Sequence, residues 1–207
     1  GIGPLAAADR VRTALLAAVG HDLRRPLTAA TAAVTGLRAD DVDWSEQDRQ
    51  ELLATAEESL NGLSELVTSL LDVSRLQAGA LAVSLAPLET ADAVLPALEE
   101  LRLGPGEVEL DLAPGLPPVL GDAVLLQRVL VNVLANAVRF SPPDAKVLLT
   151  ASEFGGRVEL RVIDCGPGIS PERGEDMFVP FQRLGDTDNE TGLGLGLAVA
   201  KGFMEGM

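Results

Sequence analysis

Leu16-Ala-Ala-Val-Gly-His-Asp-Leu-Arg-Arg-Pro-Leu-Thr-Ala-Ala-Thr-Ala-Ala-Val-Thr-Gly-Leu37 decides how the first third of the chain folds. Leu16, Val19, Leu23, Pro26, Ala30, Ala33 and Leu37 recur at alternating steps of three and four, which is the seam of a helix in a bundle. Pro26 removes one backbone donor from that helix and is expected to kink or weaken it. A second seam follows: Leu53, Ala56, Leu60, Leu63, Val67 and Leu70 repeat the spacing. Ser45 with Asp48 three positions on predicts its start as a capping box, and Gly79 its stop. Two such helices joined by the acidic residues 39–44 make a hairpin. A hairpin cannot bury both seams alone, so a homodimer closing a four-helix bundle is the economical solution.

After Gly79 the texture changes. Leu81–Leu85 alternates as a short strand would, 91–103 reads as helix despite Pro96, and Val108, Leu110 and Leu112 alternate with acids. Residues 114–118 are a loop and 122–140 a strongly apolar helix. Residues 146–154 and 157–163 form two strands turned at Gly155-Gly156. A glycine-rich, charged segment over 164–192 leads to a final helix near Leu193. The expected fold class is α+β: a helical-hairpin dimerisation domain over 1–79, then an α/β-sandwich domain over 80–207, helices on one face of a mainly antiparallel sheet.

Composition narrows the function. The chain has 207 residues, 47% of them hydrophobic but only 3% aromatic, so its core is built from Leu, Val and Ala. A formal charge of −15 repels nucleic acid phosphates and anionic lipid, which excludes both as expected partners. One cysteine, Cys165, excludes an internal disulfide. No apolar run is expected to reach the ~18 to 20 residues that span a bilayer.

Four groups carry chemistry. His21, the single histidine, falls on the outermost position of its helix, where a neutral imidazole nitrogen is an available nucleophile. Asp22 beside it can fix the ring tautomer or accept the proton. Asn132 and Asn136 lie four apart on one helical face, with Arg139-Phe140 following. An amide carbonyl is a neutral oxygen ligand suited to Mg²⁺, and Arg139 can neutralise a phosphate. Asp164-Cys-Gly-Pro-Gly168 puts a carboxylate at a strand end, able to accept from an exocyclic amine, with Gly166 and Gly168 permitting close backbone approach. Gly192-Leu-Gly-Leu-Gly196 opens the last helix, where free amides and the helix dipole hold phosphate oxygens. Between these, Phe178 and Phe181 anchor a loop that can act as a lid, and Arg183 is a further phosphate ligand. Taken singly, each group also reads as something plainer: a solvated histidine, polar residues on an exposed stripe, a tight turn, a pinned loop.

In order along the chain, however, these groups resemble the H, N, G1, F and G2 boxes of sensor histidine kinases, whose ATPase domain is shared with Hsp90, gyrase and MutL. Gly20-His-Asp-Leu-Arg24 and Phe181-Gln-Arg-Leu-Gly-Asp-Thr-Asp-Asn189 look most like the KdpD-type potassium sensors. The resemblance implies ATP and Mg²⁺ as cofactors, His21 as phosphoacceptor and Asp22 as its acid–base neighbour. It implies that Asn136 holds Mg²⁺ and that Asn132 stands where Hsp90-like relatives carry a catalytic Glu. It makes Asp164 the adenine reader, with Gly192, Gly194 and Gly196 lining the phosphates. The implied partners are a second copy of the chain and a response regulator whose aspartate takes the phosphate. The implied setting is the cytoplasmic portion of a bacterial inner-membrane sensor, anchored by other parts of the protein, with potassium uptake as the regulated process.

Two departures from the family pattern stand out. Arg25 occupies the position, four after His21, where the family carries Thr, Ser or Asn for dephosphorylating the regulator, and a bulky cation is expected to disfavour that activity. Met207 falls inside the last helix, where the family continues into further strands, so the second domain is expected to be C-terminally incomplete. Two alternatives stay open on the residues: a docking module that no longer turns over ATP, and a gyrase- or Hsp90-type ATPase that leaves His21 unmodified.

Overall fold

The computed structural model describes residues 4–39, 42–181 and 194–207. They divide into two compact units, one of residues up to 71 and one from 72 onward.

The first unit holds two long helices, α1 (Pro4–Leu37) and α2 (Glu46–Gln77), and residues 72–77 of α2 belong to the second unit. Pro26 lies inside α1, which continues past it. Asp48 N–H donates to Ser45 Oγ at 3.1 Å, and Asp48 Oδ2 accepts from Ser45 N–H at 3.1 Å, so the capping box is closed in both directions. Trp44 Nε1 donates to the Gly36 carbonyl at 2.8 Å, tying the connection to the end of α1. The small residues Ala30, Ala33 and Ala56 are buried, whereas Leu27, Val34, Leu53, Leu60 and Val67 are exposed. Large apolar side chains on the outside of a hairpin form a surface without a partner in a single chain. At the far end of α2, Gly79 adopts φ +62°; Ala80 N–H reaches the Arg75 carbonyl and Gly79 N–H that of Leu76. This left-handed cap stops the helix where glycine was expected to stop it.

The second unit adds β1 (Ala86–Leu88), α3 (Thr90–Glu100), β2 (Val108–Leu112), β3 (Val119–Gly121), α4 (Ala123–Phe140), β4 (Val147–Phe154), β5 (Arg157–Ile163) and α5 (Gly196–Gly206). β1 pairs antiparallel with β3; a separate sheet has the order β2-β4-β5, parallel between β2 and β4 and antiparallel between β4 and β5. Gly155 and Gly156, at φ +61° and +77°, make the two-residue turn that brings Phe154 opposite Arg157. Leu126, Leu130, Leu134 and Ala137 of α4 share one core with Ala93, Val94, Ala97 and Leu98 of α3 and Val108, Val147 and Leu149 of the sheet. Each large side chain sequestered there contributes on the order of 1.5–3 kcal/mol.

Two expectations are corrected. Residues 81–85 are not a strand: Ser84 N–H is drawn to Asp122 Oδ2 at 2.8 Å, and pairing begins at Ala86 with β3, a strand the sequence did not announce. An apolar run of membrane-crossing length also exists, since α4 has a mean hydropathy of 1.4 over 18 residues. Its apolar face is the centre of this core, which explains the composition.

Asp122 is the N-cap of α4 and accepts from Val124 and Leu125 N–H as well as from Ser84. The Ser84 and Leu125 donors, with Val124 adding to them, hold its carboxyl below the usual range against the opposing effect of burial. A depressed folded-state value stabilises above the unfolded pKa of about 3.9 and is lost as pH falls through the folded one. We expect Asp122→Ala to lower unfolding free energy by about 1–2 kcal/mol at neutral pH, the difference from the parent shrinking below about pH 4. Urea unfolding of both proteins at pH 7 and pH 3 measures this; a pH-independent difference would contradict it.

Candidate active site

α4 positions most of the site. While Leu126, Leu130 and Leu134 face the core, Arg128, Asn132 and Asn136 fall at four-residue steps along another side, all three only partly buried. Asn132 lies against the start of α5: a Cβ built on Gly196 would sit 3.3 Å from Asn132 Oδ1, so the bare glycine allows the approach. The N-cap of α5, Leu195, makes no side-chain cap hydrogen bond, and no acidic residue occupies the first turn. The amides of that turn are therefore suited to an anionic ligand. Gly194, at φ +66°, accepts from Phe181 N–H at 3.1 Å, tying the residues before α5 to the preceding segment.

The other end of α4 supports the Asp164 turn. A Cβ on Gly166 would meet Asp164 Oδ1 at 2.8 Å and the Phe140 carbonyl oxygen at 3.0 Å, so only glycine fits there without displacement. Gly166 N–H donates to Asp164 Oδ1 at 2.8 Å, and Cys165 N–H to Ser141 Oγ at 3.1 Å. The exposed Asp164 carboxylate keeps acceptor capacity beyond the one bond to Gly166. Gly168 follows at φ +75°, a conformation few other residues adopt. The Arg139 guanidinium lies 4.9 Å from the centre of the Phe140 ring, and Lys201 Nζ 5.3 Å from that of Phe178.

Asn132, Asn136, Phe140, Asp164, Gly166, Gly194 and Gly196 are thus gathered by one helix and its two neighbours. Arg183 and Gly192 lie outside the described residues. In the other unit His21 is exposed, its side chain 64% accessible, with Nδ1 at 3.0 Å from Asp22 Oδ1. A carboxylate accepts only, so Nδ1 is the donor in this bond; in a neutral ring the lone pair is then on Nε2. The sequence reading missed Ser141, Lys201 and Arg128; the last carried a signal, standing four before Asn132.

Asn136 supplies a single neutral amide oxygen. An ion held there would take its remaining ligands from phosphate oxygens and water, the habit of Mg²⁺ in nucleotide sites, so this neutral donor fits that metal.

Residues 11–79 match the family described as "His Kinase A (phospho-acceptor) domain", and residues 121–207 that described as "Histidine kinase-, DNA gyrase B-, and HSP90-like ATPase". The chain is 31% identical to the solved mycobacterial sensor histidine kinase MprB, with a TM-score of 0.51, covering 59% of this chain and 79% of that one. The chain belongs to the sensor histidine kinases. The solved structure of full-length ShkA in complex with AMPPNP superposes with a TM-score of 0.62 at 29% identity, over 93% of this chain and 40% of that one. The sensor protein KdpD of Rathayibacter rathayi is 53% identical over 213 residues, all of this chain and 24% of that protein. The chain therefore spans about a quarter of the length of that curated relative.

In a histidine kinase fold so arranged, Gly166→Ala must push the Asp164 carboxylate or the end of α4 aside. We expect it to lower stability by about 1–3 kcal/mol and to weaken adenine nucleotide binding. Thermal unfolding and titration with a fluorescent ATP analogue measure both; unchanged affinity would show that the turn does not touch nucleotide.

Proposed function

We propose that this chain is the catalytic core of a two-component sensor: it binds ATP with Mg²⁺ in the 80–207 domain, phosphorylates His21 in the 1–79 domain, and passes the phosphate to an aspartate of a response regulator. The observation that carries the reading is the gathering of Asn132, Asn136, the Asp164 turn and the uncapped start of α5 around one helix. Asp164 accepts from the adenine amine. The α5 amides with Gly194 and Gly196 hold phosphate oxygens, and Arg139 adds a compensating charge. Phe178 and Phe181 stand ahead of α5, where Phe181 N–H is bonded to the Gly194 carbonyl. Asn136 would hold Mg²⁺, which when bound would neutralise charge on the phosphates.

Transfer is in-line: His21 Nε2 forms a bond to the γ-phosphorus as the bond to the β,γ-bridging oxygen breaks, and ADP leaves with that electron pair. Asp22 holds the ring by Nδ1–H and stabilises the imidazolium that develops. Positioning does most of the work, because little covalent chemistry falls to the protein. The exposed Leu27, Leu53, Leu60 and Val67 support a homodimer that buries them in a four-helix bundle. The identity to KdpD sensors supports a role in potassium-uptake regulation, and a cytoplasmic kinase portion within a membrane-anchored whole.

Incubation with γ-labelled ATP and Mg²⁺ tests this. We expect acid-labile, base-stable label on the parent, none on His21→Gln, and label forming about 10- to 100-fold more slowly on Asp22→Asn. ATP binding with His21 left bare would overturn the kinase reading in favour of a docking module.

A further inference from the structure

The last turns of α2 pack within the ATPase unit through contacts that the phosphoacceptor role of the hairpin does not require. Asp72, 5% exposed, is one of few buried charged residues. Its Oδ2 accepts from Arg128 Nη2 of α4 at 2.5 Å, while the more exposed Arg75 stands at 3.8 Å from Oδ1. Arg128 Nε is buried and has no hydrogen-bond partner, so the Asp72 carboxylate is the acceptor that meets the inner side of this partly buried guanidinium. Beside the ion pair, Leu76 and Leu81 lie against two glycines of α5. A Cβ on Gly202 would stand 2.6 Å from Leu76 Cδ1, and one on Gly206 2.7 Å from Leu81 Cδ2. Glycine inside a helix costs about 1 kcal/mol relative to alanine, and here the close approach of α2 and the chain after it accounts for two of them.

Arg128 precedes Asn132 by one turn of α4 and Asn136 by two, on the same stripe. The helix that carries the nucleotide-binding asparagines and the helix that opens with the phosphate-binding glycines are thus both gripped by residues 72–81. We propose that Asp72 and Arg128 are positioning residues for nucleotide binding: their ion pair sets the disposition of the Asn132 and Asn136 stripe, and residues 72–81 are a working part of the ATPase unit rather than a linker to it. This rests on the reading of Asn132 and Asn136 as the ATP site.

A double-mutant cycle on the whole chain tests the inference, with Asp72→Asn, Arg128→Gln and the double variant. Affinity for Mg²⁺–ATP and its dependence on Mg²⁺ concentration are measured well below each variant's Tm. Each single variant should bind about tenfold more weakly and need more Mg²⁺ for half-saturation, and the double variant should be no weaker than the poorer single. Additive losses would show that the residues do not act as a pair. Lower Tm with unchanged affinity and Mg²⁺ dependence would reduce them to a structural role; either result overturns the inference while leaving the ATP site standing. Failure of the unaltered chain to bind Mg²⁺–ATP would overturn both readings.

Discussion

The burial of one face of α4 is the constraint on which the second unit depends. Leu126, Leu130, Leu134 and Ala137 lock that helix between α3 and the sheet, and Asp122 fixes where it begins. With one face committed to the core, the rotation of the helix is set, and Arg128, Asn132 and Asn136 have a defined direction. A polar stripe on a helix free to turn would define no site. The same end-to-end anchoring seats the Asp164 turn on Phe140 and Ser141, and the start of α5 on Asn132.

The two units solve different physical problems. The hairpin keeps small residues within and large apolar ones outside, which makes a second copy its natural completion. It presents His21 on an exposed position with Nδ1 hydrogen-bonded to Asp22. The ATPase unit is built from a central apolar core with glycines wherever backbone must come close to something else: Gly166 on Phe140, Gly196 on Asn132, Gly202 on Leu76.

Much of this was legible in the residues because it is local. The Ser45–Asp48 capping box, the Gly79 stop, the Gly155-Gly156 hairpin and the four-residue step from Asn132 to Asn136 each leave a signature within a few positions. The three-residue strands β1 and β3 do not: each exists through its pairing with the other, over 30 residues away, and too few side chains alternate to reveal it. The expected strand at 81–85 failed because a distant carboxylate, Asp122, claimed the Ser84 amide. Asp72 and Arg128, 56 residues apart, leave no periodic trace either. The hydropathy of α4 is high enough for a membrane helix although its apolar face packs in the core, since burial in a protein core and burial in lipid ask for the same composition.

In the proposed function, one helix, α4, organises the nucleotide site with the Asp164 turn and the start of α5. Amide hydrogen exchange with and without a non-hydrolysable ATP analogue and Mg²⁺ tests it most directly. The account predicts that added protection concentrates in the second half of α4, in residues 164–168 and in the first turn of α5, with the outer strands β1 and β3 unchanged. Protection that left those three segments untouched and appeared elsewhere would contradict it.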